Sequence, residues 1–137
     1  MRLAVLSFLI FTSPMKLFDY LRAFEYDEVR AGQAGCEAYT IDEFLQHQGG
    51  VCRDFAYFTA WTLKRMGFDP HILVYQIEGD KWHSITVFEW AHVGFSGKDL
   101  RGMYKFDNRL LTGPYKGFDY PNQTLLEPTR DLCGATQ

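Results

Sequence analysis

The stretch that decides the fold is Gln48-Gly49-Gly50-Val51-Cys52-Arg53-Asp54-Phe55-Ala56. Two glycines lead directly into a helical pattern that opens at a cysteine. From Val51 to Met66, residues Phe55, Ala56, Thr59, Leu63 and Met66 form one stripe, and Arg53, Tyr57, Trp61 and Lys64 form another. A helix apolar over so much of its surface is central to a fold. Gly67 and then Asp69-Pro70 stop it. Cys52 therefore stands at a helix N-terminus, where unpaired backbone N–H groups and the helix dipole favour a thiolate.

Downstream, His71 to Ile77 is β-branched and aromatic and reads as a strand. Glu78-Gly79-Asp80-Lys81 is turn chemistry, and Trp82 to Trp90 is a second strand, so the two form a hairpin. Alternation puts His83, Ile85, Val87 and Glu89 on one face, and Trp82, Ser84, Thr86, Phe88 and Trp90 on the other. Ala91 to Leu100 is a loop and Met103 to Asp107 a third strand. If the second and third strands pair antiparallel across a loop centred near residue 95, paired numbers sum to about 190 and His83 faces Asp107. A slip of one residue would separate them.

Upstream, Ser13-Pro14 starts a helix through Lys16–Phe24, with apolar residues at 17, 18, 20, 21 and 24. Glu25 to Tyr39 reads as a loop or broken helix. Thr40 to Leu45 is a short helix with a capping box between Thr40 and Glu43. The Gly- and Pro-containing tail from Asn108 is expected to wrap the domain as a mostly irregular extension. Residues 1–137 form one expected α+β domain.

A 17% aromatic content favours a packed core over disorder. A net charge of −3 gives no basic patch for nucleic acid, and no segment approaches a membrane span of roughly 20 apolar residues. The run Leu3 to Phe11 after Arg2 reads as a buried first strand or helix; the alternative is a targeting segment and export. Three cysteines cannot all pair within one chain. Free thiols in a cytoplasmic protein are the simplest reading, with Cys36 and Cys133 buried as small hydrophobes; a Cys36–Cys133 bridge is the alternative.

Cysteine, histidine and aspartate in this order point to acyl transfer. Cys52 is the candidate nucleophile. His83 holds the thiol proton and later delivers it to the leaving group, and Asp107, with Asp99 and Asp119 as the reserve candidates, fixes the imidazole tautomer. The Cys52 backbone N–H is one oxyanion donor. Gln46 is the candidate second donor, with Gln48 and Tyr26 as rivals. Arg53 and Asp54 are expected to pair at the helix start. The expected substrate is a peptide or protein amide, cleaved through a thioester. Transfer to an amine shares that intermediate. No cofactor or metal is expected, since His47, His71 and His92 lack ligand spacing. A silent binding module and a Cys/His metal site are the competing classes.

Gly50-Val51-Cys52-Arg53-Asp54-Phe55-Ala56, then Leu63-Lys64-Arg65-Met66-Gly67-Phe68, then Trp82-His83-Ser84-Ile85-Thr86-Val87-Phe88, resembles the transglutaminase-like superfamily. Its bacterial branch includes transglutaminase-like cysteine peptidases. Leu17 to Tyr26 is similar to the helix and tyrosine that precede the family's cysteine. The resemblance spans about residues 14–110. It implies a papain-like α+β fold, a Cys-bearing helix packed on a small antiparallel sheet, and a triad of Cys52, His83 and Asp107. Ser84-Ile85 stands where the family often has Ala-Trp, and Asn108 where a proline or Thr-Pro often follows the aspartate. These departures leave the substrate open.

Overall fold

The computed structural model describes residues 11–94 and 96–136. The expectation for the apolar N-terminal run falls mostly on residues outside these. Helix α1 (Pro14–Leu21) is capped by the Ser13 side chain, which accepts from Lys16 N. The segment expected to be a loop or broken helix forms a two-residue strand β1 (Glu25–Tyr26) and a short helix α2 (Glu28–Ala31). Helix α3 (Ile41–His47) has the expected Thr40/Glu43 capping box. Strand β2 (Gly49–Gly50) pairs in parallel with β1. Gly49 has φ +148°, and a Cβ there would collide with the Glu25 carbonyl. That glycine is required by the close approach of the two strands.

Helix α4 (Cys52–Arg65) follows at once, with Val51 as its N-cap residue and Met66 as its C-cap. Strands β3 (His71–Glu78), β4 (Lys81–Trp90), β5 (Gly102–Asp107), β6 (Leu110–Tyr115) and β7 (Thr124–Leu126) form one antiparallel sheet in the order β6-β5-β4-β3-β7. The architecture is α+β, with the Cys-bearing helix lying against the sheet.

The tail is therefore not irregular, contrary to expectation. Asn108-Arg109 turns β5 directly into β6, with Asn108 at φ +52°, and β7 joins the other edge of the sheet. Gly113-Pro114 reads as a strand breaker, but β6 is an edge strand, where a missing N–H costs no ladder bond.

One face of the sheet packs Phe88, Trp90, Tyr104 and Phe106 against Phe55, Phe58 and Leu63 of α4, with Leu17, Leu21 and Phe44 from α1 and α3 closing the core. The other face carries Leu73, Tyr75, Ile85 and Val87, covered by Phe118 and Tyr120 from the tail. Thr86 Oγ1 donates to Ala56 O at 2.7 Å, tying β4 to the second turn of α4. Both partners are buried, so this bond fixes the helix along the strand.

The free-thiol expectation for Cys36 and Cys133 is corrected: they form a disulfide with Cα atoms 5.0 Å apart. The chain end returns to the loop before α3. There Glu37 bridges to Asp131, Ala38 N donates to Arg130 O at 2.8 Å, and Arg130 binds the Glu37 carboxylate at 3.0 Å. Sequence separation gave no sign of this approach. It leaves Cys52 as the free cysteine. Among the described residues, no helix is long and apolar enough to cross a membrane.

Candidate active site

The site is built at the N-terminus of α4. Cys52 is the first helical residue, so its N–H has no intrahelical acceptor. The turn that presents it is held by Asp54, which is 1% exposed. One carboxylate oxygen accepts from Val51 N (2.8 Å) and Arg30 Nε (2.7 Å). The other accepts from Tyr39 N (2.7 Å) and an Arg30 Nη (2.9 Å). Four charge-assisted bonds lock one side chain between three segments. A Cβ on Gly50 would collide with this carboxylate, which explains the second glycine.

The expected Arg53–Asp54 pair is corrected by this arrangement. Asp54 lies on the buried side of α4 and takes Arg30, whose guanidinium also lies 3.8 Å from the Tyr39 ring centre. Arg53 instead donates to the Glu37 carbonyl at 3.0 Å. Adjacent helix residues point in directions about 100° apart, so they do not face each other.

His83 Nε2 lies 2.6 Å from Asp107 Oδ1. Its ring meets Tyr75, its partner on β3, edge-on at 5.6 Å, and Tyr75 stacks on Tyr120 at 4.0 Å. With Nε2 engaged by the carboxylate, Nδ1 is the nitrogen left for the thiol. The β4–β5 register differs from the expected one. Thr86 pairs with Phe106 and Val87 with Lys105, so paired numbers sum to 192 rather than 190. A two-residue shift keeps each side chain on its face. Asp107 is thus a diagonal neighbour of His83, within reach of two long side chains.

The three groups perturb one another. Burial pushes the Cys52 thiol up, but His83, by hydrogen bonding and charge, and the neighbouring Ser84 outweigh it, and the thiol lies below its ordinary value. Burial pulls His83 down, yet the Asp107 bond, then Cys52, carry it up to about 9. The His83 bond, against burial, lowers Asp107. A thiolate–imidazolium pair is the state these shifts favour.

Cys52 and His83 open onto a cavity of about 480 Å³, with Val74, Trp82 and Leu132 as apolar walls and Arg53 and Asp80 as charged ones. Cys36 also lines it, so the disulfide pins the C-terminal wall. Gln46 is exposed near the end of α3 and is not among the residues lining this cavity. Tyr26 lies closer to the chemistry. Burial and then the charge of Cys52 raise its phenol pKa.

Sequence reading overlooked Ser84, Tyr75 and Arg30. Ser84 adjoins the histidine, and that adjacency was the available signal; the other two carried none. Among the described residues, Cys36, Asp131 and Cys133 place ligand atoms within 4.8 Å of one another. The two cysteine sulfurs are joined to each other, so they offer no thiolates to a metal.

No curated protein and no solved structure matches the chain. A family model described as a transglutaminase-like domain matches residues 12–92. That range holds Cys52 and His83 and stops short of Asp107, which enters the site through the β4–β5 pairing. The fold, the helix-start cysteine and this match agree: the chain belongs to the transglutaminase-like domain family, a cysteine-based acyl-transfer fold.

Proposed function

We propose that this protein is a cysteine-dependent hydrolase of peptide or protein amides, acting through Cys52, His83 and Asp107. The supporting observation is the 2.6 Å contact between His83 and Asp107 beside a thiol whose pKa His83 lowers. The Cys52 thiolate attacks the amide carbonyl, and the oxyanion takes a hydrogen bond from the Cys52 N–H. As the tetrahedral intermediate collapses, the C–N bond breaks and the His83 imidazolium gives its proton to the departing amine. The acyl group is left as a thioester on Cys52. Neutral His83 then takes a proton from water. The resulting attack breaks the C–S bond, releases the acid and returns the thiolate–imidazolium pair. Asp107 holds the imidazole orientation and stabilises its cation throughout. The apolar walls Val74, Trp82 and Leu132 suit an uncharged side chain near the scissile bond. Disulfides persist in oxidising compartments, so the Cys36–Cys133 bond favours the exported alternative over a cytoplasmic location.

The test is incubation of wild type and Cys52→Ala with a diverse peptide library and a primary amine, scored by mass spectrometry. New termini from wild type alone are expected. Equal products from both proteins would exclude the reading. Amine incorporation without new termini would move the reaction from hydrolysis to transfer.

A further inference from the structure

Ser84 carries a second observation at this site that the triad does not use. It is 3% exposed and sits in the β4 row that faces α4, two residues before the Thr86 anchor on Ala56. It lines the same cavity as Cys52 and His83. Its Oγ is buried and has no hydrogen-bond partner among the described residues. Buried polar atoms are nearly always paired, because an unpaired one loses its water without replacement. A hydroxyl left unpaired beside a reactive sulfur is the kind of exception that calls for a role.

We propose that Ser84 is a further catalytic residue, whose hydroxyl donates to the Cys52 thiolate and holds that anion ready for attack. No proton is transferred. The O–H turns toward sulfur when the thiol ionises, since a serine rotor is free to follow the charge. Ser84 also stands among the groups that lower the thiol pKa. His83, in the alternate β4 row, is the other group that lowers the thiol, so the proposal gives the anion two donors. This rests on the reading of Cys52 as an ionised nucleophile.

The experiment is the pH dependence of iodoacetamide alkylation at Cys52, followed by peptide mapping, in wild type, Ser84→Ala, Ser84→Thr and Thr59→Val. Thr59 Oγ1 is a second buried, unpaired hydroxyl that does not line the cavity, so it controls for the loss of a buried hydroxyl alone. A hydrogen bond to a charged group predicts an alkylation midpoint about one pH unit higher in Ser84→Ala. Its rate below the midpoint should fall about tenfold. Thr59→Val and Ser84→Thr should keep the wild-type midpoint. Below the alkylation midpoint, where the thiol is neutral and the Ser84 hydroxyl is unpaired, the melting temperature of Ser84→Ala should be unchanged or raised. An unchanged midpoint in Ser84→Ala, or an equal shift in Ser84→Thr or Thr59→Val, would overturn the role of Ser84 and leave the Cys52 reading intact. An ordinary thiol midpoint in wild type would overturn both.

Discussion

His83 and Asp107 meet diagonally across β4 and β5, with Nε2 and Oδ1 2.6 Å apart, although neither is the other's register partner. The contact lies beyond the last β4–β5 register pair, Thr86 with Phe106. It gives the imidazole a fixed orientation and an anionic partner, and it sets the pH behaviour of the site.

The kcat/KM profile should therefore be bell-shaped. The rising limb follows ionisation of the Cys52 thiol, which lies below its ordinary value, and the falling limb follows loss of the His83 proton near pH 9. The two midpoints belong to the coupled pair. In Asp107→Asn the anion that raises His83 is gone, so the falling limb should move to lower pH and kcat/KM should drop about 10²-fold or more. An unmoved falling limb would remove Asp107 from the mechanism.

Asp54 and Arg30 should be indispensable to the helix start. Asp54 is fully buried at its side chain and Arg30 is 18% exposed. Asp54→Ala leaves a guanidinium and two backbone N–H groups without their acceptor, at a cost of about 3–5 kcal/mol. Denaturant unfolding of Asp54→Ala and Arg30→Met measures this. A loss under about 1 kcal/mol in both would show that the clamp does not hold the turn.

The long-range elements explain what the sequence disclosed. Helix α4 was legible because its apolar stripe, glycine entry and Gly67 stop all lie within one stretch. The β3–β4 hairpin was legible from alternation and the Glu78–Lys81 turn. The sites His83 and Asp107 were legible as a neighbourhood, but their register depended on how the loop between them folds. Strand β6 was hidden because Pro114 is tolerated only at an edge, and edge position is a property of the assembled sheet. The Arg30–Asp54 pair and the disulfide join residues 24 and 97 positions apart, and no local pattern encodes either.

The Cys36–Cys133 bond closes a long loop, so its removal should lower stability by about 3–5 kcal/mol. The double variant Cys36→Ser/Cys133→Ser should also raise KM more than it lowers kcat, because Leu132 and Cys36 wall the cavity while the triad lies on other elements. Unfolding curves and steady-state kinetics check both parts. An unchanged unfolding midpoint would mean that the Arg130–Glu37 and Ala38–Arg130 contacts hold the segment unaided.

The central claim is that Cys52 carries the acyl group. Intact-protein mass spectrometry after acid quench, with an activated acyl ester as substrate, tests it most directly. The account predicts one added acyl group, mapped to Cys52, released by neutral hydroxylamine as a thioester should be, and absent from Cys52→Ala. An adduct that persists in Cys52→Ala, or turnover without any adduct on Cys52 under rapid quench, would contradict it.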